Sequence, residues 1–163
     1  MQATACGRAL SPRAREGSPP GVIAYRRPVR FEDIDAARIV FFGRFTSYAH
    51  EAMEHFMAGA RGGYAGLVNE RQVGFPAVRV EQQFHAPLRY GETVDVEVRT
   101  ARLGRRSAEL SYRFVRVGDG VLVAEMRHTV VVSDLVKLAS CDMPDDVRAI
   151  FEAHLEPDAP SAA

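Results

Sequence analysis

Two carboxylates one residue apart, Asp33 and Asp35, sit in the stretch FEDIDAARIVFFGRF, just ahead of a segment with helical apolar periodicity. A carboxylate in such a loop can attack an activated carbonyl, or it can take a proton from a water that does so. Either route needs donors for the oxyanion that develops. The first N–H groups of a helix have no partners within it, so those around Phe42 to Phe45 could supply them, with Phe42 and Gly43 as the expected pair. A donor of this kind lowers the barrier by about 2.7–4 kcal/mol. The plainer reading of Asp35 is a helix cap, stabilising by about 1 kcal/mol, with the helix dipole holding the entrance carboxylates ionised. Asp33 is expected to structure the loop through bonds to nearby backbone.

Other chemistry-bearing residues read more blandly. Glu51 falls on the polar side of the helix and is expected to be solvated. His50, Glu51 and His55 resemble HExxH, but the histidines are five residues apart, well past one helical turn, so no metal is expected. His128 falls on the apolar face of a strand, where a buried, hydrogen-bonded imidazole is the preferred reading. His85 falls on a polar alternation and is expected to face solvent.

The elements that position these groups are readable from their periods. Phe45, Tyr48, Ala49, Ala52 and Phe56 recur at three- and four-residue steps, which predicts a long amphipathic helix ending near Gly59 to Gly63. A first strand is expected in VIAYRRPVRF, at an edge or bulge because of Pro28, and a short helix over Tyr64 to Arg71. From Ala77 the period changes to two. Val78, Val80, Gln82 and Phe84 predict a strand with one face inward, followed by strands around Val94 to Val98, Leu110 to Phe114 and Leu122 to Val132. A last helix is expected over Asp145 to His154, after Pro144. Short turns suggest an antiparallel meander, which buries most apolar surface if it curls around the long helix.

Composition bounds the partners. The chain has 163 residues, 47% of them hydrophobic, enough for the core of one domain. Its 21 basic and 21 acidic residues cancel, so nothing global favours nucleic acid or an anionic membrane. Cys6 and Cys141 lie far apart in no redox or metal spacing, no apolar run suits a membrane span or secretory signal, and a cytoplasmic location is expected. Residues 1–20 and 156–163 read as disordered tails around a domain over 21–155.

The chain also resembles a known family, the hot-dog-fold acyl-CoA thioesterases of the 4-hydroxybenzoyl-CoA thioesterase-like group. The likeness rests on Phe31-Glu32-Asp33-Ile34-Asp35-Ala36-Ala37-Arg38-Ile39-Val40, then Phe45 and Tyr48-Ala49-His50-Glu51-Ala52, and on HAPLRYGETVDVEV and RLGRRSAELSYRF, and it spans roughly Tyr25 to Pro144. It implies an α+β hot-dog fold, a curved antiparallel sheet wrapped around one long central helix. It also implies a thioester hydrolase with no cofactor beyond the coenzyme A of its substrate, assembled as a homodimer or homotetramer. Asp35 matches the family's catalytic carboxylate, and Glu51 stands where a related branch carries its own. Arg38 replaces the family's usual glycine, which places the loop shape at issue, and Phe45 its usual helix tyrosine. Arg38 could face an anionic or hydroxylated acyl group; Arg89, Arg105 and Arg106 flank turns and could meet coenzyme A phosphates. The subgroup implies a preference for aromatic acyl-CoA. The alternative from a different class is a non-catalytic module that binds acyl-CoA or acyl-carrier-protein thioesters.

Overall fold

A computed structural model describes residues 22–157 of the chain. Cys6, with the whole expected tail over 1–20, and residues 158–163 of the other expected tail lie outside that range. Strand β1 (Ile23–Pro28) leads through a loop to helix α1 (Arg44–Phe56) and then the short helix α2 (Gly63–Asn69). Strands β3 (Ala77–Phe84), β4 (Thr93–Leu103), β5 (Ser107–Arg116) and β6 (Leu122–Val131) follow, with helix α3 (Asp145–Ala153) last. Three two-residue strands, β2 (Val73–Gly74), β7 (Ser133–Asp134) and β8 (Ala139–Ser140), form a separate small sheet that no periodicity announced, being too short to show one.

The main sheet is antiparallel in the order β1-β4-β5-β6-β3. This differs from a simple meander. β3 does not pair with β4 but lies at the far edge against β6, because residues 85–92 cross the end of the sheet instead of turning back. That crossing is tied down by His85 N–H to Val123 O at 2.9 Å and Val29 N–H to Glu92 O at 2.9 Å. β1 is the opposite edge, where Pro28 is tolerated without a ladder donor.

The face that α1 covers is formed by Val94, Val96, Val98, Leu110, Tyr112 and Phe114, all essentially buried. Against them α1 sets Phe45, Tyr48, Ala49, Ala52, Met53 and Phe56, the expected stripe with Met53 added. α3 closes one end, with Val147 and Phe151 buried and the Phe151 ring 5.7 Å from that of Phe56. Arg71 grips Asp146 at the start of α3 with bonds of 2.7 and 2.9 Å. Glu156, at the start of the expected C-terminal tail, is held by its N–H to Thr100 O at 2.8 Å and by Ser111.

β3 departs from expectation. Its alternation does not turn a face inward: Val78, Val80 and Phe84 are 62%, 43% and 49% exposed. The strand sits at the sheet edge beyond the reach of most of α1, so each of its apolar residues, Ala77, Val78, Val80 and Phe84, is exposed. Among the described residues, no helix is long and apolar enough to cross a membrane.

Candidate active site

The loop between β1 and α1 is built around a tight turn. Asp35 N–H donates to Ile39 O at 2.9 Å, Arg38 N–H donates to Asp35 O at 2.9 Å, and Ile34 and Val40 pair across the turn. Arg38 closes it with φ at 62°, the left-handed conformation that a glycine would adopt freely. The arginine therefore keeps the loop shape that glycine makes easy, at a steric cost.

Asp35 is exposed at the turn, and its Oδ1 accepts from Ala37 N–H at 2.8 Å. It does not cap α1. The cap position is Gly43, eight residues on, so the expected cap and the dipole support for Asp35 do not apply. Asp35 and Phe42 line one groove of about 470 Å³, with Phe45, Phe84, Pro87 and Leu88 among its walls. The crossing segment supplies the far wall, latched by Val40 N–H to Leu88 O at 2.8 Å.

The backbone N–H groups leading into α1 are mostly engaged. Phe41 N–H is taken by Asp33 O, Arg44 N–H by Phe41 O and Phe45 N–H by Phe42 O. Among the described residues, the N–H groups of Phe42 and Gly43 have no partner. Gly43 has no room for a side chain, since a Cβ there would lie 2.9 Å from the Phe41 ring. That close approach explains the glycine better than any dihedral need.

Asp33 does more than shape local backbone. It is 1% exposed, accepts from Arg30 N–H at 2.8 Å, and receives Arg27 Nη1 on Oδ2 at 2.6 Å and Nη2 on Oδ1 at 3.3 Å. Burial raises its carboxyl, but the hydrogen bonds from Arg27 and Arg30 outweigh that and hold it below the ordinary carboxylate range. Arg27, itself 6% exposed, lies with its guanidinium 3.9 Å from the centre of the Tyr48 ring. Its Nε also donates to Glu51 at 3.0 Å. One arginine thus ties β1, the loop and α1 together. Sequence reasoning passed over Arg27; the signal was its position between Tyr25 and Val29, a charge on an otherwise apolar alternation.

Glu51 is not a freely solvated helix acid. It accepts from Arg27 and from Tyr25 Oη, the latter at 3.1 Å, and faces a second pocket rather than the Asp35 groove. The arginines do not form one group. Arg38 and Arg89 are exposed near the loop and the crossing. Arg105 and Arg106 pair with Asp142 at 3.2 and 2.6 Å just past the other end of β4, an 11-residue strand that extends about 33 Å at 3.3 Å per residue. His85 meets Glu125 at 3.1 Å on the outer face. His128 is only half-buried, and its single described bond, Nδ1 to Tyr112 Oη, is 3.5 Å long, so the buried and well-bonded expectation fails. Among the described residues, no three His, Cys, Asp or Glu side chains converge as metal ligands.

Comparison with known proteins identifies the family and the fold. A family model described as the thioesterase-like superfamily matches residues 29–151. The 1,4-dihydroxy-2-naphthoyl-CoA hydrolase of Prochlorococcus marinus is 31% identical over 135 residues, covering 78% of this chain and 86% of its own. Among solved structures, the gentisyl-coenzyme A thioesterase BH1999 superposes with a TM-score of 0.70 at 30% identity, over 78% of this chain and 98% of that one. A thioesterase-superfamily protein from Jannaschia sp. CCS1 superposes with a TM-score of 0.77 at 26% identity, over 87% and 99%.

Proposed function

The chain belongs to the thioesterase-like superfamily, and from that premise we propose that it hydrolyses acyl-CoA thioesters with an aromatic acyl group. The observation that carries this reading is the arrangement about one groove: the Asp35 carboxylate lines it, and the Phe42 and Gly43 N–H groups beside it have no partner among the described residues. The thioester carbonyl oxygen would turn toward those amides. The Asp35 carboxylate, whose Oδ2 has no bond within the described residues, would attack the carbonyl carbon or deprotonate the attacking water. As the tetrahedral species collapses, the C–S bond breaks and the thiolate of coenzyme A leaves; the water route releases the free acid directly, and the attack route leaves the acyl group on Asp35 as an anhydride that a water then hydrolyses to free acid and carboxylate. Thiolate is a good leaving group, so the step needs no metal or further cofactor.

The aromatic preference is supported by the relatives, whose names specify dihydroxynaphthoyl and gentisyl thioesters. Arg38 and Arg89, at the loop end of the sheet, are the arginines suited to the acyl group or to coenzyme A phosphates of the same protomer; Arg105 and Arg106 could serve only a neighbouring one. The exposed valines of the β3 edge support a homodimer joined there, since an edge strand with apolar side chains is a ready surface for pairing. Glu51 is committed to Arg27, which favours Asp35 over it as the reacting carboxylate.

The deciding experiment is steady-state release of free thiol from a panel of acyl-CoA esters. Turnover fastest on aromatic acyl groups is expected. Tight binding of acyl-CoA with no turnover on any ester would replace the hydrolase with a thioester-binding module.

A further inference from the structure

His128 of β6 stands between Val80 of the exposed β3 edge and the buried Leu110 of β5, so one imidazole interrupts an apolar row where the sheet passes from its core to its edge. Its neighbours along β6, Met126 and Val130, are buried. The half-buried His128 makes only the 3.5 Å contact from Nδ1 to Tyr112 Oη, and its Nε2 has no partner among the described residues, which leaves that nitrogen open to a ligand. Burial, with the nearby His50, lowers the His128 pKa, which keeps the ring neutral and able to accept as well as donate.

That imidazole opens into a pocket of about 550 Å³ between α1 and β3, walled by Ala49, Met53, Tyr64, Phe75 and Met126. Tyr64 and Phe75 stack, with centroids 6.1 Å apart. Of the other polar groups at its rim, His50 pairs with Glu54, Glu51 with Arg27 and Thr46 with Gln82, while the hydroxyls of Ser47 on the exposed side and Tyr64 make no bond among the described residues. The pocket follows the Asp35 groove along the same helix and strand, Phe42, Phe45 and Phe84 lining one, Thr46, His50 and Val80 the other. Gly43 and His50 are separated by about 10 Å of helix axis at 1.5 Å per residue, roughly the length of a one- or two-ring acyl group. Between them α1 meets β3 through the solvent-facing bond from Gln82 Nε2 to Thr46 Oγ1, at 2.7 Å, and the edge-on contact of the Phe45 and Phe84 rings, 5.3 Å apart; the exposed Gln82–Thr46 pair can rotate aside.

We propose that this pocket seats the ring of the acyl group, and that His128 reads a hydroxyl on that ring. The inference rests on the acyl-CoA reading above and adds a specificity residue to it. Glu51 at the rim adds a second element: its negative charge disfavours ring carboxylates where His128 favours a neutral phenol.

The test uses S-phenacyl-CoA and its ring-hydroxylated counterparts, thioethers that no hydrolase cleaves, with binding measured by calorimetry. The wild type is expected to bind the best-placed hydroxylated compound about tenfold more tightly than the unsubstituted one, the value of one good hydrogen bond. His128→Phe should abolish that ratio while retaining affinity for the unsubstituted compound, and Tyr112→Phe, which leaves the ring and frees Nδ1, should reduce it. Because both substitutions touch the core, the His128 ring resonances of the wild type provide a second measure. They should shift with the hydroxylated compound and not with the parent. Equal affinities in the wild type, or an unchanged ratio in His128→Phe, would overturn the proposal while leaving the hydrolase intact. Failure to bind either compound would remove the acyl-CoA reading and this one with it.

Discussion

Arg27 Nη1 lies 2.6 Å from Asp33 Oδ2, both side chains within the protein, two residues before the exposed Asp35. The pair joins the first strand to the loop that presents Asp35, the proposed reacting carboxylate. The same Asp33 holds Phe41 N–H through its carbonyl, while the next two amides, the proposed oxyanion donors, have no partner among the described residues. Stability and chemistry therefore share one contact.

Breaking that contact from the arginine side leaves a buried carboxylate unpaired. Arg27→Met is expected to lower unfolding free energy by about 3 kcal/mol. Urea titration measures this, and a loss below about 1 kcal/mol would show that the pair does not organise the loop.

Acid should find the same weakness. The Asp33 carboxyl is held below its ordinary value of about 3.9 in the folded state, so its contribution is fully present above that pH and is lost as pH falls through the folded value. Asp33→Asn should lower stability at pH 7 and flatten its decline below about pH 4. Thermal melts of both proteins from neutral to acid pH would reveal the difference, and parallel curves would contradict it.

Asp35 offers the opposite combination, exposure with chemistry. Asp35→Asn should reduce turnover by about two orders of magnitude or more while shifting Tm little, because the side chain keeps one local bond and packs against nothing. Retention of most activity would move the reacting group elsewhere, with Glu51 next in line.

Arg38 tests the strain in the turn. Since φ there is 62°, Arg38→Gly is expected to hold or raise stability, whereas Arg38→Val should cost about 1–3 kcal/mol. Equal stabilities for the two variants would mean that the loop relaxes to another conformation.

The β3 edge makes a prediction about assembly. Val78 is 62% exposed and lies outside both the Asp35 groove and the His128 pocket. Analytical ultracentrifugation should find two or more chains per particle, and Val78→Asp should shift the protein toward monomer. A wild type that sediments as a single chain would exclude the dimer.

The long helix, the strands from Thr93 to Val131 and the last helix were legible because each buries one stripe, and burial writes a period of 3.6 or two into the chain. The Asp35 turn was legible through its residue types and its place between a strand and that helix. Arg27 and His128 were visible only as polar breaks in apolar alternations. A break of that kind says that the residue points inward, not what it meets there: for Arg27 it is a carboxylate six residues on, and for His128 a pocket.

Local pattern alone pointed to Asp35 and the Phe42 and Gly43 amides as one neighbourhood, with a helix start just beyond, and Asp35 and Phe42 do line one groove. What only the tertiary structure decided was everything that depends on long-range pairing. The placement of β3 at the far edge, the wall from the crossing segment, the capture of Glu51 by Arg27 and the pocket beneath His128 all join residues distant in sequence. A residue's periodicity records that it is buried; its partner is chosen by the packing of the whole chain.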